Sequence, residues 1–365
     1  MMLLITTGNT NNEAPNSKQY GFYQSVRALQ RRAENGFDLI GFRLYFVELN
    51  GGIHSILGKR VVLDADASQS VIKLNNGYLT TVRDTQSPLI EEHAENVIAL
   101  YENLTERGID FLYINAPFKI DKYDTQLPNG LSDYTNSDAD KFLNILIQSN
   151  VPTVDLREEL RQAGLNHYDL FFRTDHHWTP EAGLWAAGLV MNKYLPQYRY
   201  GNADLYDISN YYVDTHEQIF LGSWGRRTGR LYAGLDDISV ITPNFETELY
   251  VSIPHRGYAK SGSFLETVID PDDITYNRYI GGNADARIVN ATGNGKTCVV
   301  IGDSFSRVVL PFIALEFSEV YRYDTRQIPG DMTAYEYIEL HNPDVVIVIY
   351  NPTAQTDYEM MQFGG

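Results

Sequence analysis

Two short segments hold the residue types that nucleophilic catalysis needs. The first reads Val299-Val300-Ile301-Gly302-Asp303-Ser304-Phe305-Ser306, an apolar run that ends in Gly-Asp-Ser and passes at once into a helical pattern. A serine so placed stands at the carboxyl end of a strand, where open α/β sheets carry their sites. It also stands at a helix N-terminus, where unpaired N–H groups can hold a developing oxyanion. Gly302 permits a tight approach, and Asp303 can cap the helix. The same residues suit a plain strand-to-helix cap without chemistry, and from this segment alone both readings stand.

The second segment is Arg173-Thr174-Asp175-His176-His177-Trp178-Thr179-Pro180-Glu181-Ala182-Gly183. A serine hydroxyl is a weak nucleophile until a histidine takes its proton, and that histidine needs an acid to hold its orientation. In an extended or looped segment Asp175 and His177, two residues apart, can enter one cleft together. Thr179 as cap and Pro180 at the first helical position mark a helix start, so the motif occupies the loop that leads into a helix. Two other readings compete. Asp175, His176 and His177 are all good metal ligands, though adjacent histidines rarely converge on one ion and no further ligand shows a characteristic spacing. They also suit a polar capping cluster. Only one histidine can serve as a base, which leaves His176 structural or substrate-facing.

The elements that must position these segments are legible from about residue 88. Ile90, Ala94, Val97, Ile98, Tyr101 and Leu104 share one helical face over 88–107, and Phe111–Ile114 is a short apolar strand. A helix is predicted over roughly 137–149, and Val151–Val154 leads into the next strand. The alternation returns as strand 297–301, helix 305–317, strand 319–323, helix 331–341 and strand 344–350. Strands that are apolar throughout and separated by helices indicate a parallel sheet covered on both faces, here with at least five strands. Residues 197–294 have another texture, rich in Tyr, Gly, Asp and Asn, with strands expected at Ile238–Thr242 and Glu246–Ile253. This stretch reads as a β-rich insertion within one α/β domain. Before residue 88 the signals are weaker: helical spacing over 20–34, and strands around Leu39–Val47 and Val71–Val82, the latter with Asn75-Asn76-Gly77 as a turn.

Composition narrows the function. The 365 residues include 47 Asp and Glu against 29 Lys and Arg, a formal net charge of −18. That field repels a polyanion, and no basic run offsets it, so nucleic acid is excluded as a partner. Cys298 is the single cysteine, so neither an internal disulfide nor a cysteine metal site can form. It sits in an apolar run as an inert buried thiol. The 26 tyrosines suit both packing with a wet hydroxyl and stacking against sugars. The opening MMLLIT is too short for a signal-peptide core or a spanning helix. Taken literally it implies a soluble, untargeted chain, or else a start from which a hydrophobic leader has been lost.

Together, Asp-His-His-Trp at 175–178 and Gly-Asp-Ser-Phe-Ser at 302–306 resemble the bacterial DHHW protein family. They are also similar to the SGNH-hydrolase-like domains of alginate O-acetylation proteins, of the AlgX and AlgJ kind, in which the His motif precedes the Ser motif. Phe220–Gly225, Asp236-Asp237-Ile238 and Tyr323-Asp324-Thr325-Arg326 add to the resemblance, which covers most of residues 88–350. It implies an SGNH-hydrolase-like α/β domain over 88–365, with 197–294 inserted and 1–87 as an N-terminal extension packed on it. Carried over, Ser304 is the nucleophile, His177 the base and Asp175 the orienting acid, with no cofactor and no metal. The implied activity is transfer or hydrolysis of an acetyl ester on a cell-surface or exported polysaccharide, through an acyl-serine. Relatives work outside the cytoplasm and beside a membrane-bound acyl-transporting protein, a partner the resemblance extends here. Arg326 and Asn351 follow strands at the same sheet edge as Ser304, and with His176 and Trp178 they are the substrate-binding candidates. Arg326 suits a salt bridge with Asp324 equally well, and Lys119 is a further residue for the cleft rim. A reading of another class is a non-catalytic polysaccharide-binding or assembly protein on the same scaffold.

Overall fold

The computed structural model describes residues 38–364, apart from 65–69, 202–204, 284 and 328–331. Its first described element is a helix, Asp38–Ile56, where a strand was expected around Leu39–Val47. Alternation over so short a window does not separate the two periods. Leu44, Tyr45, Phe46 and Leu49 all remain exposed, so the alternation is not a burial pattern. A three-stranded antiparallel sheet follows: β1 (Val61–Leu63), β2 (Ser70–Lys73) and β3 (Leu79–Thr80). The hairpin β2–β3 turns at the expected Asn75-Asn76-Gly77, with Gly77 at φ 91°, a region glycine enters without penalty. The helical spacing at 20–34 lies outside the described residues.

The five parallel strands of the main sheet are those expected from the sequence, while the strands Tyr258–Gly262 and Arg287–Asn290 were not anticipated. After the helix Ile90–Glu106 comes β4 (Asp110–Asn115), then the helix Thr135–Gln148 and β5 (Thr153–Asp155). β6 (Tyr211–Phe220) and β7 (Asp236–Pro243) form a separate antiparallel ribbon. They are followed by β8 (Leu249–Ile253), β9 (Tyr258–Gly262), β10 (Arg287–Asn290), β11 (Thr297–Gly302), β12 (Glu319–Tyr323) and β13 (Val345–Tyr350). The eight-stranded order is β5-β4-β13-β11-β12-β10-β8-β9. Its first five strands are parallel, and β10, β8 and β9 extend it antiparallel beyond β12.

Successive residues of β11 and β13 alternate between two cores. Cys298, Val300 and Ile347 pack with the helix Pro180–Leu189, while Val299, Ile301, Val346 and Val348 pack with Ile90–Glu106, Thr135–Gln148 and Ala334–His341. Burial on both faces explains why these strands carry no polar alternation. One helix departs from expectation. In place of 305–317 there is a 3₁₀ turn, Ser304–Val308, and then a short α-turn, Leu310–Ile313. Pro311 lacks the N–H that a continuing helix needs, and it sits instead in the first turn of the new one. No helix among the described residues is long and apolar enough to cross a membrane.

Candidate active site

Ser304 projects from the carboxyl end of β11, fourth of the eight strands, and opens the 3₁₀ turn. Gly302 is needed here: a Cβ on it would lie 2.3 Å from the Ile349 carbonyl oxygen of β13. Asp303 caps the turn, accepting from the Phe305 N–H at 2.8 Å, and its other oxygen accepts from the Asn351 N–H at 3.0 Å. Burial pushes the Asp303 carboxyl up to about 6. Beneath it the buried Arg322 donates to the carbonyls of Gly302 (3.1 Å) and Asp303 (2.8 Å) and to Ser306 Oγ (2.9 Å). The Ser304 turn is therefore tied to β13 through Asp303 and to β12 through Arg322.

Asp175 and His177 occupy a loop that enters the helix Pro180–Leu189, capped by Thr179 with Pro180 in its first turn. His177 Nδ1 lies 2.6 Å from Asp175 Oδ1, and His177 Nε2 lies 2.7 Å from Ser304 Oγ. The three side chains form one hydrogen-bonded series, although 127 residues separate His177 from Ser304. Burial holds His177 below its ordinary value, against the pull of Asp175, so the ring is neutral near pH 7. Burial also opposes ionisation of Asp175, yet the His177 ring and the N–H groups aimed at it hold that carboxyl well below the usual range. A neutral imidazole beside a carboxylate and a hydroxyl is the protonation state a general base requires.

The loop is braced by Gly222, Ser223, Asp236 and Tyr276. Asp236 accepts from the N–H groups of Arg173 and Thr174, both at 2.8 Å, and from Thr174 Oγ1 at 2.6 Å. Ser223 N–H donates to Asp175 Oδ2 at 2.5 Å, and Gly222 N–H donates to Thr174 Oγ1 at 2.8 Å. A Cβ on Gly222 would lie 2.3 Å from that of Asp175, so only glycine allows this approach. Tyr276 stacks on His177 at 3.8 Å and 11°, and its hydroxyl donates to the Ser304 carbonyl at 3.0 Å.

Of the predicted substrate residues, His176 has the position for the role. Its side chain is 44% exposed, lies against His177 and shares a 2.7 Å hydrogen bond with Ser223 Oγ. Trp178 does not fit: its ring is 0% exposed, packs on Phe305 and donates to the Phe305 carbonyl at 3.1 Å. It is a spacer that seats the histidine loop against the serine turn. Asn351 is likewise buried, donating through Nδ2 to the Pro117 carbonyl at 2.9 Å. Both corrections have one cause, since a residue next to a site in sequence or along the sheet edge need not face it. Arg326 is held by Asp324, with Nε–Oδ1 and Nη2–Oδ2 both at 3.0 Å, the salt bridge named as its alternative. Lys119 is buried and not on the rim. Its Nζ donates to the Phe172 and Asp175 carbonyls, and burial pushes its pKa down to about 8.

Tyr276 and Arg307 gave no motif signal. Arg307 follows Ser304 by three residues in a 3₁₀ turn, where such side chains eclipse. Its Nε and Nη1 are buried without a hydrogen-bond partner among the described residues, and its charge contributes to holding His177 down. Asp175, His176 and His177 bring ligand atoms within 4.8 Å of one another. Both nitrogens of His177 and both oxygens of Asp175 already hold the bonds described above.

A profile of the family described as ALGX, SGNH hydrolase-like domain, acetyltransferase AlgX, matches residues 76–218. No curated protein matches the chain. Among solved structures, Bacillus cereus PatB1 with a sulfonyl adduct is similar, with a TM-score of 0.66 and 18% identity over 81% of this chain and 98% of that one. A DHHW family protein from Eubacterium siraeum gives 0.62 and 17%, over 80% and 93%. The O-acetyltransferase domain of Pseudomonas putida AlgJ gives 0.50 and 15%, over 78% and 92%. At such identities the likeness is one of fold, and it is the SGNH-hydrolase-like fold the two motifs had implied.

Proposed function

We propose that this protein is a carbohydrate O-acetyltransferase or acetylesterase that works through an acyl-serine, with Ser304, His177 and Asp175 as its catalytic triad. The observation that carries the reading is the 2.7 Å contact between His177 Nε2 and Ser304 Oγ, continued to Asp175 at 2.6 Å. His177 takes the Ser304 proton as Oγ bonds to the acetyl carbonyl carbon. The carbonyl oxygen becomes an oxyanion and then re-forms its double bond as the donor oxygen leaves with the proton from His177. In the second half, a sugar hydroxyl or water gives its proton to His177 and bonds to the acetyl carbon. The Ser304 ester bond then breaks, and Oγ recovers the proton. The Arg307 guanidinium, with two partnerless buried nitrogens one 3₁₀ turn from Ser304, supplies positive charge where the oxyanion develops. His176, exposed beside the base, contacts the bound substrate. The glycan is an exported or cell-surface polysaccharide met outside the cytoplasm, and a membrane-bound acyl-transporting protein delivers the acetyl group; what supports these last points is the resemblance to AlgX- and AlgJ-type domains.

A binding protein with a relic site needs no contact between the histidine and the serine, and the short contact favours catalysis over that reading. The test is turnover of 4-nitrophenyl acetate by the wild type and by Ser304→Ala. A drop of about 10³-fold or more is expected. Unchanged turnover in the variant would remove Ser304 from the mechanism.

A further inference from the structure

A second concavity lies at the same edge of the sheet as Ser304: Phe118 and Thr353 on its wall follow β4 and β13 by three residues, and β13 neighbours β11. It encloses about 930 Å³ between β2–β3 and the turns that follow β4 and β13, within the range of a ligand site. Two short covalent and hydrogen-bonded paths join its inner wall to the triad. Phe118, on that wall, precedes Lys119, whose ammonium holds the Asp175 carbonyl. Thr353 donates its N–H to Asn351 Oδ1, and the Asn351 N–H binds the carboxylate of Asp303, the residue before Ser304. Wall and nucleophile therefore hang from the same few residues.

The lining has the chemistry of a sugar site. Apart from Phe118 and Val82 it is polar, and Tyr358 stands at its rim with 70% of its surface exposed. An exposed aromatic ring beside hydroxyls offers a sugar both a stacking face and hydrogen bonds. Its charge is equally informative. Asp84, Asp357 and Glu359 line it against the single cation Arg83, whose Nη2 already reaches the Thr356 carbonyl. On a chain of net charge −18, three exposed carboxylates here repel an anionic polymer.

Resting on the acyl-serine reading above, we propose that this groove is the acceptor subsite, and that it takes an uncharged or amino-bearing glycan and disfavours a polyuronate. The sugar lies across Tyr358 and presents one hydroxyl toward Ser304 and His177.

The test uses the whole chain, 4-nitrophenyl acetate as donor, and chitotetraose or a tetra-uronate as acceptor. The readout is the partition of acetyl between sugar and water, which does not depend on the rate of the first half-reaction. Chitotetraose is expected to capture acetyl at low salt and the uronate to do so at least tenfold less well, with the gap narrowing as salt screens the carboxylates. Tyr358→Ala is expected to shift the partition toward water by about tenfold. Binding is read separately, by NMR saturation transfer to chitotetraose on the Ser304→Ala protein with and without Tyr358→Ala. Equal saturation with and without Tyr358, or a uronate preferred at low salt, overturns the groove while leaving the acyl-serine reading intact. Absence of nitrophenolate release from the wild type counts against the acyl-serine reading, and the NMR result still decides the groove.

Discussion

Ser304 hangs from the middle of the parallel sheet, whereas Asp175 and His177 ride on a loop braced by hydrogen bonds from distant segments and by the packing of Trp178 and Tyr276. The first is fixed by burial: β11 lies between β13 and β12, and every residue from Cys298 to Ile301 is buried. The second is fixed by Asp236, Ser223, Gly222 and Lys119, each of which binds or crowds the loop directly. The difference predicts that damage to the serine side will appear as lost stability. Damage to the histidine side will appear as lost activity in a protein that remains folded.

Ile347→Ala, in β13 beside β11, tests the first half. Truncating a fully buried isoleucine is expected to cost about 2–5 kcal/mol of stability in denaturant titration, with the activity of the folded fraction close to wild type. Gly222→Ala tests the second half. The new methyl must displace Asp175, and a shift approaching 1 Å at a catalytic group is expected to cost about 10²-fold in kcat/KM, against an overpacking loss of about 1–3 kcal/mol that leaves the protein folded. Equal losses of both properties in both variants would erase the distinction.

Arg307→Gln sharpens the histidine side. Removing a charged donor from a developing oxyanion is expected to lower kcat/KM on acetyl esters by about tenfold or more. The same variant carries a signed pH effect. In the proposed mechanism His177 acts as the neutral base, and its pKa lies below the ordinary histidine value of about 6.5, so wild-type kcat/KM is expected to be level at neutral pH and to fall only below that value. Arg307 is one of the causes of that depression, so its loss raises the His177 pKa and moves the acid limb to higher pH. An unmoved limb would place the guanidinium away from His177. Tyr276→Phe is the smallest change: one neutral hydrogen bond to the Ser304 carbonyl is lost, about 0.5–1.5 kcal/mol, read as a few-fold loss in turnover while the ring still stacks on His177.

The same contrast explains what could be read in the sequence. β11 and β13 were legible because double burial leaves a run of apolar residues. Ser304 was legible because a strand-Gly-Asp-Ser-turn pattern is local. The bracing of the histidine loop was not: the resemblance marked Phe220–Gly225 and Asp236-Asp237-Ile238, but what they bind lies dozens of residues away, and Tyr276 carried no motif at all. Trp178 and Asn351 were assigned to substrate by adjacency, and their burial shows how weak adjacency is as a guide to direction. The helix Asp38–Ile56 was misread because a few alternating apolar residues fit either period.

The most direct measurement is the intact mass of the protein after brief exposure to an activated acetyl ester, beside Ser304→Ala. A gain of one acetyl, mapped to Ser304 and absent from the variant, is the expected result. A folded wild-type protein that gains no acetyl and turns over no ester would contradict the acyl-serine mechanism.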